Sequence, residues 1–205
     1  MRYLVLLLAV GAVFGIVACS QAVIDDLISH YITVFTSKVA GSGFYLGKGY
    51  FVTVNHVFYD SLDNYDDSTD IVAVNSRGFG DAKILKKDSK FTVCKMDWYN
   101  EGDFWDSFSK PVLGTFVFWI APYNVNGNVI LAVKGGIVSA LSSESFLVQA
   151  DVLPGASGSA VFDSNGNLLG LIESLFIVES TTPNGKIINT FIEVKKIDKS
   201  ILDGL

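Results

Sequence analysis

Short runs of valine, isoleucine, leucine, phenylalanine and tyrosine recur along the chain after residue 30, each cut off by glycine, asparagine, aspartate or serine. Runs this short and this rich in β-branched and aromatic residues favour strands over helices, and they confine the chain to an all-β fold. A first group of strands is expected at residues 31–36, 42–46, 50–54, 71–75, 82–85 and 91–96. A second group is expected at 113–120, 129–133, 136–141, 146–150, 160–162, 168–175 and 187–194. Gly41, Gly43, Gly47 and Gly49 punctuate the first hairpins, and Asn126-Gly127, Asn165-Gly166 and Asn184-Gly185 are strong short hairpin signals. Between the groups, residues 99–111 crowd Asn, Glu, Gly, Asp and Pro together and read as a connection. Many short strands with frequent turns and only a terminal helix make a sandwich or a barrel.

Two motifs carry chemistry. In Pro154-Gly155-Ala156-Ser157-Gly158-Ser159-Ala160 a serine sits between glycines in a turn of small residues. Such a turn lets a nucleophile approach a substrate carbonyl, and the unhindered N–H groups of Gly155 and Ser157 suit an oxyanion hole, worth roughly 3–4 kcal/mol per donor. A serine hydroxyl is a poor nucleophile at neutral pH and needs a base. Thr53-Val54-Asn55-His56-Val57 supplies a histidine at the end of an apolar strand. The other histidine, His30, has no comparable setting and reads as an exposed or satisfied polar residue.

Gly41-Ser42-Gly43-Phe44, then TVNHV, then GASGSA followed by Val161-Phe162-Asp163-Ser164-Asn165-Gly166-Asn167-Leu168-Leu169-Gly170, resembles the trypsin-like serine peptidases, and within them the HtrA-type catalytic domain without a PDZ module. Gly135-Gly136-Ile137-Val138-Ser139-Ala140 is similar to a strand of that family, and residues 190–194 with Ile197, Ile201 and Leu202 to its closing strand and short C-terminal helix. The resemblance implies two six-stranded antiparallel β-barrels, at about 31–100 and 111–194, with the active site between them. It implies a serine endopeptidase acting on peptide or protein substrates through an acyl-enzyme, without cofactor or metal. Ser157 is then the nucleophile and His56 the general base.

The third member of the triad departs from the family. Its aspartate opens a strand whose counterpart here is Lys90-Phe91-Thr92-Val93-Cys94-Lys95-Met96, which puts lysine in the aspartate's register. Asp88, two residues earlier, is the candidate to orient His56, whereas Asp97 lies at the far end of the strand. A backbone or other group in that role, or a broken triad, are the other readings. Loss of the orienting carboxylate can cost roughly ten-thousandfold in turnover. A broken triad would leave a catalytically impaired homologue that binds peptides or a protein partner in the same cleft. For substrate binding the resemblance points to Asp151, at the base of the primary pocket or capping the turn before Pro154. It also points to Ile172, Glu173 and Ser174, where a substrate strand would add to the sheet.

The N-terminus is a separate segment. Residues 3–19 are apolar almost without a break and no acidic residue precedes Asp25, so residues 1–24 read as a signal peptide or membrane anchor. Ile16-Val17-Ala18-Cys19 also matches a lipobox, with Cys19 lipidated and residues 20–30 a short tether. Either way residues 25–205 form an extracytoplasmic peptidase domain, membrane-anchored or secreted. Net charge is −6 with no Lys/Arg stripe, which argues against nucleic acid as a partner. Asp60, Asp63, Asp66, Asp67 and Asp70 read as a solvated loop rather than a calcium site, since they lack EF-hand spacing. Cys94 reads as a small buried hydrophobe.

Overall fold

Every pairing between neighbouring strands is antiparallel, and the strands close into two barrels. The computed structural model describes residues 21–37, 39–58, 70–125, 128–150, 155–182 and 185–205. The first barrel is built from β1 (Tyr31–Phe35), β2 (Ala40–Gly47), β3 (Tyr50–Val54), β4 (Ile71–Asn75), β5 (Gly78–Lys87) and β6 (Phe91–Met96), in the order β1-β2-β3-β6-β5-β4. The second contains β7 (Phe116–Val125), β8 (Asn128–Leu141), β9 (Ser145–Gln149), β10 (Ala160–Asp163), β11 (Leu168–Thr182) and β12 (Gly185–Lys196), in the order β10-β11-β12-β9-β8-β7. A 3-10 turn, Lys199–Leu202, follows β12 and stands where the short C-terminal helix is expected; Asp198 caps it.

The period-2 alternation of the second barrel serves two cores at once. On β7, Val117, Trp119 and Ala121 point into the second barrel, whereas Phe118 and Ile120 join the core of the first. On β10, Val161 faces inward while Ala160 and Phe162 face the first barrel. The seam between barrels is therefore apolar and aromatic, with Phe44 edge-on to Phe162 at 5.5 Å and to Trp105 at 5.1 Å. Each such buried aromatic contributes roughly 1.5–3 kcal/mol through the area it removes from water. The connection between barrels is tied to both: Trp105 N–H donates to Leu46 O (2.8 Å) and Ser109 N–H to Leu168 O (3.0 Å).

Several elements differ from the sequence reading. Residues 129–133 and 136–141 belong to one strand, β8, which runs through Gly135 and Gly136. Strands β7 and β11 run further than expected, and both form long hairpins, with β8 and β12. The tether expected at 20–30 is a helix from Gln21 on, α1 (Gln21–Ser29), because Leu27 is buried in the core and Val23 and Ile28 pack against it. His30 follows it, its Nδ1 against Asp26 O (3.0 Å) and its ring stacked on Phe44 at 5.5 Å. Among the described residues no helix is long and apolar enough to cross a membrane. Cys19 and the apolar run before it, Asp60 to Asp67, Asn126-Gly127 and Asn184 lie outside the described residues.

Cys94 is buried on β6, and that burial pushes its thiol far above the ordinary cysteine range. The expected outcome is that iodoacetamide leaves Cys94 unmodified in the native protein at mildly alkaline pH and modifies it once urea unfolds the chain, read by peptide mass spectrometry.

Candidate active site

His56 sits in a 3-10 turn, Asn55–Phe58, that follows β3 directly. Val57 and Phe58 are buried and hold the turn down. Asn55 ties it to the start of β6: its N–H donates to Lys90 O (3.3 Å), its Nδ2 to Asp88 O (2.9 Å), and its Oδ1 accepts from Thr92 Oγ1 (2.8 Å). The imidazole is left 41% exposed and faces the second barrel.

Ser157 lies in the turn before β10. The turn is fastened to its own barrel through Ile172, whose carbonyl accepts from Gly158 N–H (2.8 Å) and whose N–H donates to Ser159 O (2.9 Å). It is fastened to the first barrel through Ser42. Ser42 N–H donates to Ser157 O (2.8 Å), and Ser42 Oγ donates to Gly155 O (2.8 Å). With its one hydrogen used, Ser42 Oγ accepts from the Tyr31 hydroxyl (2.7 Å), while Ser42 O accepts from Thr53 Oγ1 (2.6 Å). Burial pushes the Tyr31 hydroxyl above the ordinary tyrosine pKa, against the hydrogen bonds to Ser42 and Thr33 that lower it. Gly158 has φ +86°, and a Cβ there would run into the Ser42 carbonyl and the Thr53 hydroxyl. Gly41 is the wall shared by the two motifs: a Cβ on it would press on Val57 and lie 3.3 Å from Ser157 O. The segments carrying His56 and Ser157 thus meet across the cleft. Gly155 has φ +92°, and among the described residues nothing accepts a hydrogen bond from the N–H of Gly155 or Ser157.

The structure rearranges the remaining candidates. The carboxylate at His56 is Glu173, with Oε1 3.3 Å from Nδ1. Asp88, expected against His56, is turned away: its Oδ1 accepts from the backbone N–H groups of Lys90 and Phe91, both at 2.7 Å. That is the local backbone bonding aspartate favours in turns. Lys90, in the register expected of an aspartate, reaches across to Glu144 on the second barrel in a close ion pair. The Ile172 side chain lies in the second core and its backbone holds the Ser157 turn. Ser174 Oγ donates to Glu193 Oε2 (3.1 Å). Burial pushes the Glu193 carboxyl up, but hydrogen bonds from Lys195, Ser145 and Ser174 outweigh it and hold the group below its ordinary pKa. Asp151 lies outside the described residues. The sequence reading assigned no role to Ser42, Asn55 or Thr92, although Ser42 and Asn55 fall inside the quoted motifs.

Residues 41–171 match the trypsin-like peptidase domain family, which is more than half of the chain. A probable periplasmic serine endoprotease, DegP-like, of Bartonella henselae is 31% identical over 147 residues, covering 66% of this chain and 28% of the relative. The crystal structure of the serine endoprotease from Yersinia pestis superposes with a TM-score of 0.59 at 22% identity, over 82% of this chain and 60% of that one. The tobacco vein mottling virus protease superposes with a TM-score of 0.61 at 15% identity, over 88% and 83%. At these identities the two structures establish the fold, and the chain spans under a third of the Bartonella relative's length.

Two outcomes follow from the clamp and from Glu193. Ser42→Ala leaves the Tyr31 hydroxyl and the Gly155 carbonyl without their partner, and is expected to destabilise the protein by about 1–3 kcal/mol in urea unfolding. Because the folded state holds Glu193 below its ordinary pKa, that stabilisation is present above the ordinary glutamate value and is lost as pH falls through the folded one. Glu193→Gln is expected to flatten the acid side of a stability-against-pH curve.

Proposed function

The chain belongs to the trypsin-like peptidase family, and on that premise we propose that it is a serine endopeptidase hydrolysing peptide bonds in protein or peptide substrates. Ser157 Oγ attacks the scissile carbonyl as His56 Nε2 takes its proton, and the N–H groups of Gly155 and Ser157 hold the developing oxyanion. The intermediate collapses to an acyl-enzyme as His56 returns the proton to the leaving amine. Water activated by the same imidazole then releases the acid. The observation that carries this reading is the double fastening of the Ser157 turn, to Ile172 on one side and to Ser42 on the other, beside the His56 turn. A catalytic group held within a few tenths of an ångström is what such chemistry requires.

The substrate strand adds to β11 from Glu173 onward, where β10 no longer pairs with it. Asp151 is carried as a primary-pocket residue. The DegP-like relative is periplasmic by its description, and with the apolar run at 3–19 this supports an extracytoplasmic enzyme, tethered through that segment or through lipidated Cys19. Lys90 in the aspartate's register favours a second reading, an impaired homologue that holds peptides in the cleft without cleaving them.

A fluorophosphonate probe is expected to label the wild type and neither Ser157→Ala nor His56→Ala, with peptide hydrolysis falling on the order of 10⁶-fold in each. A folded wild type that stays unlabelled favours the binding homologue. Expressed in a bacterium with a lipoprotein pathway, the full chain is expected to carry an acylated Cys19 by mass spectrometry and to lose it in Cys19→Ala. An unmodified chain would leave the uncleaved anchor or secretion.

A further inference from the structure

We propose that Glu173, on the second barrel, is the positioning residue that orients His56, in place of Asp88 of the first barrel, whose carboxylate is bonded within its own turn. The proposal rests on the peptidase reading of His56 and Ser157.

Three observations carry it. The first is the contact itself: Glu173 Oε1 stands 3.3 Å from His56 Nδ1, the long end of a hydrogen bond and the range of a catalytic pair before substrate excludes water. A carboxylate oxygen accepts, so the nitrogen facing it carries the hydrogen, and Nε2 keeps the lone pair a general base needs. The second is backbone geometry. Along β11 and β12, Ile172 pairs with Val194 but Ser174 pairs with Glu193, so Glu173 is the extra residue of a β-bulge. A bulge re-aims a side chain that regular alternation would send elsewhere. Ile172, bonded to both Gly158 and Ser159, fixes that bulge beside the Ser157 turn. The third is what the carboxylate does not do. Among the described residues the carboxylate's one polar partner is His56, and its Oε2 is buried without a hydrogen-bond partner. A buried acceptor left unpaired costs about 1–3 kcal/mol, a cost that stability alone does not explain.

The vacated position agrees. Asp88 spends its side chain on the turn before β6, and Lys90 turns to Glu144, so neither is bonded to the imidazole. During attack His56 Nε2 accepts the Ser157 proton and Nδ1 keeps its own. Glu173 stays ionised and stabilises the imidazolium without receiving a proton.

The test compares wild type with Glu173→Gln and Glu173→Asp, after urea unfolding has established that both variants fold. Glu173→Gln is expected to lower kcat on the order of 10³–10⁴-fold with KM little changed, because the amide presents no anion and favours the wrong tautomer. Glu173→Asp is expected to recover part of that loss. The ¹⁵N shifts of the ring, with His30→Gln to assign the second histidine, are expected to report hydrogen on Nδ1 in the wild type and in Ser157→Ala, and to move in Glu173→Gln. A raised KM with unchanged kcat would make Glu173 a substrate-binding group and overturn the proposal. Wild-type kinetics in Glu173→Gln would overturn it too. If the wild type is inactive, the peptidase reading falls by itself, and the ring shifts still decide: altered by Glu173→Gln they uphold the pairing, unaltered they refute it.

Discussion

The cleft depends on one buried serine. Ser42 uses its N–H, its hydroxyl and its carbonyl in four hydrogen bonds, two of them to the loop that carries Ser157 and two to Tyr31 and Thr53 of its own barrel. Backbone groups buried at a seam between two barrels have no water to bond, so each would cost free energy if left alone. Ser42 satisfies them while joining the barrels. It also explains its neighbours: Gly158 has no room for a side chain because the Ser42 carbonyl and the Thr53 hydroxyl already fill that space. A hydroxyl at 42, a glycine at 158 and a threonine at 53 form one constraint spread over three motifs.

Around that clamp the apolar packing is continuous. Phe118, Ile120, Ala160, Phe162, Leu168 and Leu171 belong to the second barrel by hydrogen bonding and to the first by packing. Sliding one barrel against the other would expose this surface, at roughly 25 cal/mol for each Å² uncovered. The cleft between the barrels is therefore set by the core. A site assembled from both sides of such a seam is held in place before any substrate arrives, which is where catalytic electrostatics draw their strength.

Local signals were legible in the sequence and long-range ones were not. Strands β3, β4 and β6 begin and end where their short apolar runs do, because those runs are what the barrel buries, almost without a break on β3 and β6 and in alternation at the start of β4. Strand β7 was cut short by Pro122 and β8 by Gly135-Gly136, residues that argue against strand in isolation but are tolerated within a long hairpin. Helix α1 was hidden because its few residues follow an unbroken apolar run, and its fit into the core is a tertiary fact. At the site, the spacing of TVNHV and GASGSA brought forward His56 and Ser157. The neighbour of His56 could not be read the same way. Glu173 reaches it through a bulge and through barrel docking, and neither leaves a period in the sequence. Asp88 was nearer than Glu173 by chain position, yet its carboxylate is taken by two backbone N–H groups of its own turn.

An orienting carboxylate on the facing barrel, as proposed for Glu173, changes what the site depends on. With histidine and carboxylate on the same barrel, their pairing survives any disturbance at the seam. Here His56 belongs to the first barrel and Glu173 to the second, so their contact exists only while the barrels are docked. Lys90 and Glu144 cross the same seam in the same sense, cation from the first barrel and anion from the second. Glu144 pairs with Lys90, and Glu173 faces Nδ1 of His56. Two glutamates of the second barrel thus reach residues of the first, Glu173 to His56 and Glu144 to Lys90, and both pairings are properties of the docked barrels.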